Sequence, residues 1–242
     1  MKKVLWTVAV LVMMILPVSV WAQGGLEEAK AYLEKDLTLA DYQKAIDLCA
    51  PVADSQPQSF EANWMTAKAY RLYADEAKKQ QVDGWKDICK EYGKKGMNYA
   101  EKAIALAPDR VEGHFWYGTC VGSYSDGVSI LTALKEGLKD KTQTSFETAY
   151  SLDKTYYEGG PVLAIGRFWS VLPWPMKDKK KALEYLEEFH AMHPDNPEGL
   201  LYLGEAYLDS KEKAKAKDVL SKAAASDKKF FSDQAKKLLE SL

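Results

Sequence analysis

The sequence contains few arginines, histidines and cysteines. Its 242 residues include three of each, and its formal net charge is −2. Because nucleic-acid binding needs clustered positive charge and this chain has no arginine-rich stripe, we expect no nucleic-acid partner. With 47% hydrophobic and 28% charged residues, the composition is typical of a folded globular protein rather than a disordered one.

Cysteine is too scarce here for a disulfide framework. Cys49, Cys89 and Cys120 lie far apart, in segments that we predict to be helices. One pair could form a bridge in an oxidising compartment, whereas three cysteines cannot all pair within one chain. The interpretation that we favour is three small buried thiols.

The chain also lacks the motifs of the common catalytic classes. It has no nucleophile elbow and no zincin helix, and Glu158-Gly-Gly-Pro161 lacks the Lys-Ser/Thr pair of a phosphate-binding loop. His190 and His193 lie three residues apart, but His193 precedes Pro194 at a helix end, where a polar side chain is commonly exposed. We therefore expect no metal and no cofactor, and we predict that the protein is not an enzyme.

One long hydrophobic run is present, at the N-terminus. Two lysines precede an apolar run over residues 4–16, and a small-residue site ends at Ala22. This pattern predicts a secretory signal peptide over residues 1–22, cleaved before Gln23, and hence a periplasmic protein. An uncleaved anchor is the alternative, because the stretch from Val4 to Ala22 approaches the roughly 20 residues that span a bilayer. No cysteine follows the cleavage site, so we expect no lipid anchor.

Residues 23–242 show helical periodicity almost throughout, since apolar residues recur three and four apart without sustained alternation. Gly118 and Gly204 each lie ten residues beyond a proline that closes a helix, and Leu200-x-x-Leu203-Gly204-x-x-Tyr207 is close to the tetratricopeptide-repeat (TPR) pattern. We predict one all-α domain, a TPR-like right-handed superhelix of about five antiparallel helix pairs with a C-terminal capping helix.

The predicted pairs are unequal in length. The positions that close successive units are Pro108, Lys154, Pro194 and Lys228, and only the last step has the usual TPR length. The surplus falls in the centre, where we predict an inserted helix over residues 126–138 and a recess between the hairpins. The predicted helices are 26–35 with 41–54, 59–80 with 85–107, 111–123 with 143–152, 161–172 with 179–192, 197–209 with 211–225, and the cap 230–239.

Arg167 is a candidate functional residue because it is the only charge between Pro161 and Leu172, in a segment that is apolar on every side. A buried guanidinium must be paired or must face a polar cavity. One interpretation is a structural ion pair with Glu158 or Asp126. The other is a fixed guanidinium that offers its fork to a carboxylate ligand.

Aromatic residues are concentrated around the same centre. Most should fill the core between helices of unequal length, while Tyr124 and Trp174 are our candidates for the concave face. His114 could contact a ligand, although a role in helix packing is favoured. The full set of candidate ligand- or partner-binding residues is His114, Trp116, Tyr117, Tyr124, Asp126, Arg167, Trp169 and Trp174.

Three motifs carry a resemblance to a known family. They are Gly113-His-Phe-Trp-Tyr-Gly118, Tyr157-x-Gly-Gly-Pro161, and the helix with Lys181-Ala-Leu-Glu-Tyr-Leu186 that ends at Pro194. Over residues 100–225 the chain resembles the T component of tripartite ATP-independent periplasmic (TRAP) transporters, a TPR-like family. The resemblance implies association with a periplasmic solute-binding protein. It also implies, in some members, a homotrimer whose clefts could pass small apolar or acidic ligands.

The sequence thus predicts a non-enzymatic periplasmic TPR adaptor that binds the solute-binding protein of a TRAP-type transporter. The alternative is a general TPR scaffold for protein–protein interaction in cell-envelope assembly. Unlike lipid-anchored members of the family, this chain has glutamine, not cysteine, immediately after the predicted cleavage site.

Overall fold

A computed structural model describes residues 24–34 and 37–242, and every regular element in these residues is helical. The predicted signal peptide over residues 1–22 lies outside the described residues. Helix α1 covers residues 24–30. The helices that follow are α2 (Leu39–Ser55), α3 (Phe60–Gln80), α4 (Trp85–Leu106), α5 (Val111–Val128), α6 (Ile130–Lys135), α7 (Leu138–Asp153), α8 (Tyr156–Val171), α9 (Lys179–Met192), α10 (Pro197–Asp209), α11 (Lys213–Ala224) and α12 (Lys229–Glu240).

The helices pack as a stack of hairpins. Each long helix contacts the next along the chain, and the first helices of successive hairpins also touch, α3 with α5, α5 with α8, α8 with α10, and α10 with the cap α12. Contacts limited to neighbouring units are characteristic of repeat superhelices. The predicted all-α, TPR-like superhelix is confirmed.

Small residues let paired helices approach closely. A Cβ on Gly204 of α10 would lie 2.5 Å from Leu220 of α11, and one on Gly166 of α8 would lie 2.8 Å from Leu186 of α9. Leu186 and Leu220 are fully buried at these contacts. The repeat pattern therefore works as predicted, with glycine on one helix facing a large apolar side chain on its partner.

Side-chain caps fix the helix starts that the sequence placed correctly. The carboxylate of Asp178 accepts from the Lys181 N–H at 3.0 Å, and the Asn196 amide oxygen accepts from the Gly199 N–H at 3.0 Å. These bonds satisfy donors that a helix leaves unpaired in its first turn. The predicted ranges 179–192 and 197–209 coincide with α9 and α10.

The central insertion differs from the prediction. α5 continues to Val128, α7 begins at Leu138, and the inserted helix shrinks to the six residues of α6. Ser129 (φ 131°) and Gly137 (φ 74°) interrupt the helical path at either end of α6. The surplus residues therefore lengthen the flanking helices instead of forming one long inserted helix.

The three cysteines are buried and free, which confirms the interpretation that we favoured. Burial raises the pKa of Cys49 and of Cys120 to about 12, and that of Cys89 to about 11. Low dielectric disfavours the thiolate, so these groups pack as small apolar side chains.

Candidate functional site

The first helices of the hairpins enclose a cavity of about 390 Å³ on the inner side of the superhelix. α3, α5, α8 and α10 supply most of its wall, and α6, α7 and α12 contribute further residues. Most of the lining residues belong to the central stretch that the sequence singled out. The lining residues used below are Arg71, Asp75, Lys79, Phe115, Trp116, Gly122, Leu134, Tyr157, Glu158, Leu163, Arg167, Phe168, Leu172, Glu198 and Tyr202.

An aromatic group forms one part of the wall, where α5 meets the start of α8. The ring of Trp116 packs against that of Tyr157 at 4.9 Å between centroids, and Phe115 contacts Tyr156 at 5.5 Å, both edge to face. The Trp116 Nε1–H donates to the Tyr156 hydroxyl at 2.9 Å. Trp116 is almost fully buried, so it is both a core residue and part of the cavity surface.

The chain leaves helical geometry where it reaches this aromatic group. Tyr157 (φ 49°), Glu158 (φ 56°) and Gly159 (φ 75°) all have left-handed backbone conformations. Such conformations are unfavourable for residues other than glycine. They turn the chain so that the helical part of α8 begins near Pro161, as predicted, while Tyr157 and Glu158 reach the cavity wall.

A charged triad on α3 forms a second part of the wall. Asp75 accepts from the guanidinium of Arg71 at 3.0 Å and from the ammonium of Lys79 at 2.8 Å. Their side chains are between 22% and 27% exposed. Burial alone would raise the pKa of Asp75, but its two cationic neighbours outweigh burial and hold the pKa below its usual range. All three groups therefore carry their charges at neutral pH.

Asp75 uses only one edge of the Arg71 fork. The Arg71 Nη1 carries the contact with Asp75, while the buried Nε–H has no hydrogen-bond partner in the described part of the chain. A buried donor without an acceptor costs about 1–3 kcal/mol. Arg71 lines the cavity, but its Nε is covered by surrounding protein atoms, so the side chain offers the cavity its positive charge rather than a free Nε–H.

Arg167 faces a carboxylate of α10. Its guanidinium contacts Glu205, and its Cζ lies 4.2 Å from the centroid of the Tyr202 ring. Burial opposes the charge on Arg167, but Tyr202 and Glu205 hold its pKa above the ordinary value. The predicted partners were Glu158 or Asp126. The correction is that Glu205 receives Arg167, because one face of α8 packs toward α10.

Tyr202 connects this pair to the cavity. Its hydroxyl donates to Glu198, one turn earlier on α10, at 2.9 Å. Burial, followed by the charge of Glu198, raises the pKa of Tyr202 well above its usual value. The hydroxyl therefore stays protonated and acts as a donor.

The structure brings only part of the candidate set to the cavity. Trp116 and Arg167 line it. Tyr117 is buried in the core with Lys141 over its ring at 4.8 Å, and burial raises its pKa to about 12. His114 is buried on α5, with Nε2 2.8 Å from the Pro108 carbonyl, which agrees with the helix-packing interpretation.

The remaining four candidates lie away from the cavity wall. Tyr124 is buried and donates to Glu136 at 2.9 Å, and Asp126 pairs with Lys78 at 2.7 Å. Trp169 is buried under Lys181, whose Nζ lies 4.3 Å from the ring centroid. Trp174 is 87% exposed, on the loop between α8 and α9.

The triad on α3 was missed by the sequence analysis. Arg71, Asp75 and Lys79 are spaced four residues apart, so they share one face of a helix. This spacing, together with the rarity of arginine in the chain, was a signal that could have identified them. Glu198 and Tyr202 repeat the same spacing on α10, across the cavity.

The described residues hold no group of three or more His, Cys, Asp or Glu side chains arranged to bind a metal ion. Among the described helices, none combines the length and the hydropathy needed to cross a membrane.

The stacked hairpins and the cavity on their inner side define the chain as a tetratricopeptide-repeat protein, a class whose repeats are typically non-catalytic and bind protein partners. The profile of the tetratricopeptide repeat matches residues 176–242. The profile of the family described as Regulator of microtubule dynamics protein 1-3 matches residues 26–159, more than half of the chain, and the chain belongs to this family. No curated protein sequence matches the chain.

Solved structures share the fold at low sequence identity. TTC0263, a thermophilic TPR protein of Thermus thermophilus, has a TM-score of 0.60 at 18% identity, over 90% of this chain and 99% of the other. PilF of Pseudomonas aeruginosa has a TM-score of 0.58 at 13% identity, over 92% of this chain and 86% of the other. YrrB, a TPR protein with an unusual peptide-binding site, has a TM-score of 0.50 at 14% identity, over 81% of this chain and 84% of the other. These similarities establish the fold alone.

Proposed function

We propose that this TPR protein is a non-enzymatic periplasmic binding protein whose cavity takes a small molecule with an anionic head and an apolar body. We further propose that it associates, as an accessory component, with the solute-binding protein of a TRAP-type transporter. The observation that carries the first part is a cavity of about 390 Å³ that has an aromatic wall and the guanidinium of Arg71 in its lining.

The charge of the head group follows from Arg71. A carboxylate in the cavity beside this guanidinium would gain a charge-assisted interaction, which is stronger than a neutral one. Lys79 and Arg167 stand on the same cavity wall and add positive potential. Each already has a carboxylate partner, so they support an anionic ligand without being its main contact.

The apolar body follows from the rest of the wall. Leu134, Leu163 and Phe168 line the cavity beside Phe115 and Trp116. A cavity of this volume lies at the small end of the usual range for ligand pockets. A single aliphatic or aromatic moiety suits this space better than a folded protein segment.

The location and the transporter partner are supported by the sequence. The predicted signal peptide would carry the chain out of the cytoplasm, and the central motifs resemble the TRAP T component. The matched family takes its description from microtubule dynamics. A chain exported by a signal peptide would not meet microtubules, so the predicted signal favours a role in the envelope.

The ligand proposal is tested by blocking the cavity at Gly122. This glycine lines the cavity within α5, and a Cβ placed on it meets no atom within 4 Å. A phenylalanine there would extend into the open space without removing an existing contact, while alanine is the matched control. Binding is measured by displacement of the fluorescent carboxylate cis-parinarate from the purified protein, with decanoate and decanol as competitors.

We expect decanoate to compete more strongly than decanol, Gly122→Ala to bind as the unmodified protein does, and Gly122→Phe to lose binding. Equal competition by the acid and the alcohol would contradict the anionic head, and unchanged binding by Gly122→Phe would contradict the site. The transporter proposal is tested separately, by calorimetry with a purified TRAP solute-binding protein. No binding there, with recovery of envelope-assembly proteins from periplasmic extract, would favour the scaffold alternative.

A further inference from the structure

A tryptophan protrudes from the loop that leaves the cavity wall. Trp174 is 87% exposed, and it belongs to a tight turn in which the Met176 N–H donates to the Pro173 carbonyl at 2.9 Å. We call residues 173–176 the Trp174 tip. Tryptophan is highly buried on average, so near-complete exposure of its side chain is unusual.

A second exposed apolar side chain stands on the central insertion. Leu131 of α6 is 61% exposed. One turn later on α6, Leu134 packs against the core cluster formed by Phe146, Ile165, Phe168, Trp169, Leu172 and Ala182, and Met176 of the Trp174 tip packs against the same cluster. Leu134 and Leu172 also line the cavity, so both protruding segments are anchored where the cavity wall ends.

The charge next to the Trp174 tip is positive. Lys177 and Lys179 both contact the single carboxylate of Asp209, at 3.0 and 3.2 Å. Lys180 and Lys181 are exposed, and the one acidic residue among these lysines, Asp178, caps the start of α9. This segment and the side chains that it contacts therefore contain four lysines and only two carboxylates, so their net charge is positive.

We propose that the Trp174 tip and α6 dock the protein on an anionic phospholipid membrane. Tryptophan favours the boundary between lipid headgroups and acyl chains, and each lysine near an anionic surface strengthens binding about fivefold. A stable protein interface buries about 800 Å² on each partner, whereas one tryptophan and one leucine offer far less. An exposed tryptophan beside lysines, with an exposed leucine on a segment anchored to the same core cluster, instead fits a shallow insertion into lipid.

The proposal is tested by flotation of the full chain with two kinds of vesicle, one of phosphatidylcholine and one of equimolar phosphatidylcholine and phosphatidylglycerol. The variants are Trp174→Ala and Lys180→Glu. The matched controls are Trp85→Ala, which removes a half-buried tryptophan from α4, and Lys217→Glu, which makes the same charge change on the exposed side of α11. Light scattering of each variant without lipid gives its oligomeric state.

We expect binding to the anionic vesicles only. Trp174→Ala should weaken it about tenfold or more, since burying even half of a tryptophan removes about 100 Å² from water. Lys180→Glu should weaken it at least about fivefold, while both controls bind like the unmodified chain. The proposal is overturned if the unmodified chain does not bind anionic vesicles, or if the variants and their controls lose equal affinity. An oligomer that dissociates only in Trp174→Ala, without vesicle binding, would assign the tip to a second copy. The inference does not depend on what the cavity binds, because its readout is vesicle binding.

Discussion

Replacing Asp75 by asparagine should change stability and ligand binding in opposite directions. Asp75 accepts from Arg71 and from Lys79, on one face of α3. Asparagine has almost the same shape but carries no charge. The substitution therefore leaves two cations side by side at the cavity wall without their common anion.

The magnitude follows from burial. Breaking a fully buried ion pair costs about 3–5 kcal/mol, because one charge remains uncompensated. The triad is about a quarter exposed, so water offsets part of this cost. We expect Asp75→Asn to lower the free energy of unfolding by about 1–3 kcal/mol, which corresponds to a fall in Tm of about 2–4 °C per kcal/mol for a domain of this size.

Ligand binding should respond in the opposite sense. Removing the charge of Asp75 weakens its hold on the Arg71 guanidinium and raises the positive potential in the cavity. An anionic probe such as cis-parinarate should bind tighter, by roughly 1 kcal/mol or more, while displacement by decanol should not improve.

The assays are thermal unfolding followed by circular dichroism and titration with the probe at constant salt. The control is Asp140→Asn, since Asp140 pairs with Lys139 at 3.0 Å but is 92% exposed, and surface pairs contribute little. The reasoning fails if both substitutions change Tm equally, or if Asp75→Asn weakens binding of the anionic probe.

Three further predictions concern the same elements. The pKa of Asp75 in the folded protein lies below its ordinary value of 3.8, so the stability that its charge contributes is complete at neutral pH and is lost as the pH falls below about 5. The difference in Tm between the unmodified chain and Asp75→Asn should therefore narrow in acid. Gly118→Ala should destabilise the fold by about 1–3 kcal/mol, because the added Cβ would overlap the ring of Phe146. Gly122→Ala, one turn later and in open space, should stabilise the fold by about 0.5–1 kcal/mol. Urea unfolding measures both changes. The chain has three buried thiols, those of Cys49, Cys89 and Cys120. They should resist alkylation in the native protein and react fully once it is unfolded, which mass spectrometry can measure.

The repeating part of the fold could be predicted from the sequence because its signals are local. Asp178 and Asn196 are recognisable helix caps, and Gly204 sits at the spacing at which a TPR helix needs a small residue. The insertion was predicted less well. Its outcome depends on whether residues 124–128 and 138–142 continue the flanking helices, and that is decided by packing against other units rather than by local propensity.

The position of the cavity could be predicted from the sequence, but the residues that form its wall and their partners could not. Arg167 was identified because it is an isolated charge in an apolar helix, yet its partner Glu205 lies 38 residues away. Arg71 and Asp75 form a local pair that resembles an ordinary solvated helix face. Only the superhelical stacking of α3, α5, α8 and α10 turns that face toward the cavity. The spacing and the rarity of arginine mark these residues, but not the direction in which their helix face points.

The left-handed turn at Tyr157 and Glu158 explains why the central motif contains two glycines. Non-glycine residues in this conformation cost about 1–3 kcal/mol each, so the surroundings must hold them in place. The ring of Tyr157 does so by packing on Trp116 at 4.9 Å. A Cβ on Gly159, at φ 75°, would lie 3.2 Å from His193, and one on Gly160 would lie 2.7 Å from the ring of Phe115. The motif therefore acts as a tight corner that directs α8, and Arg167 with it, along the cavity wall.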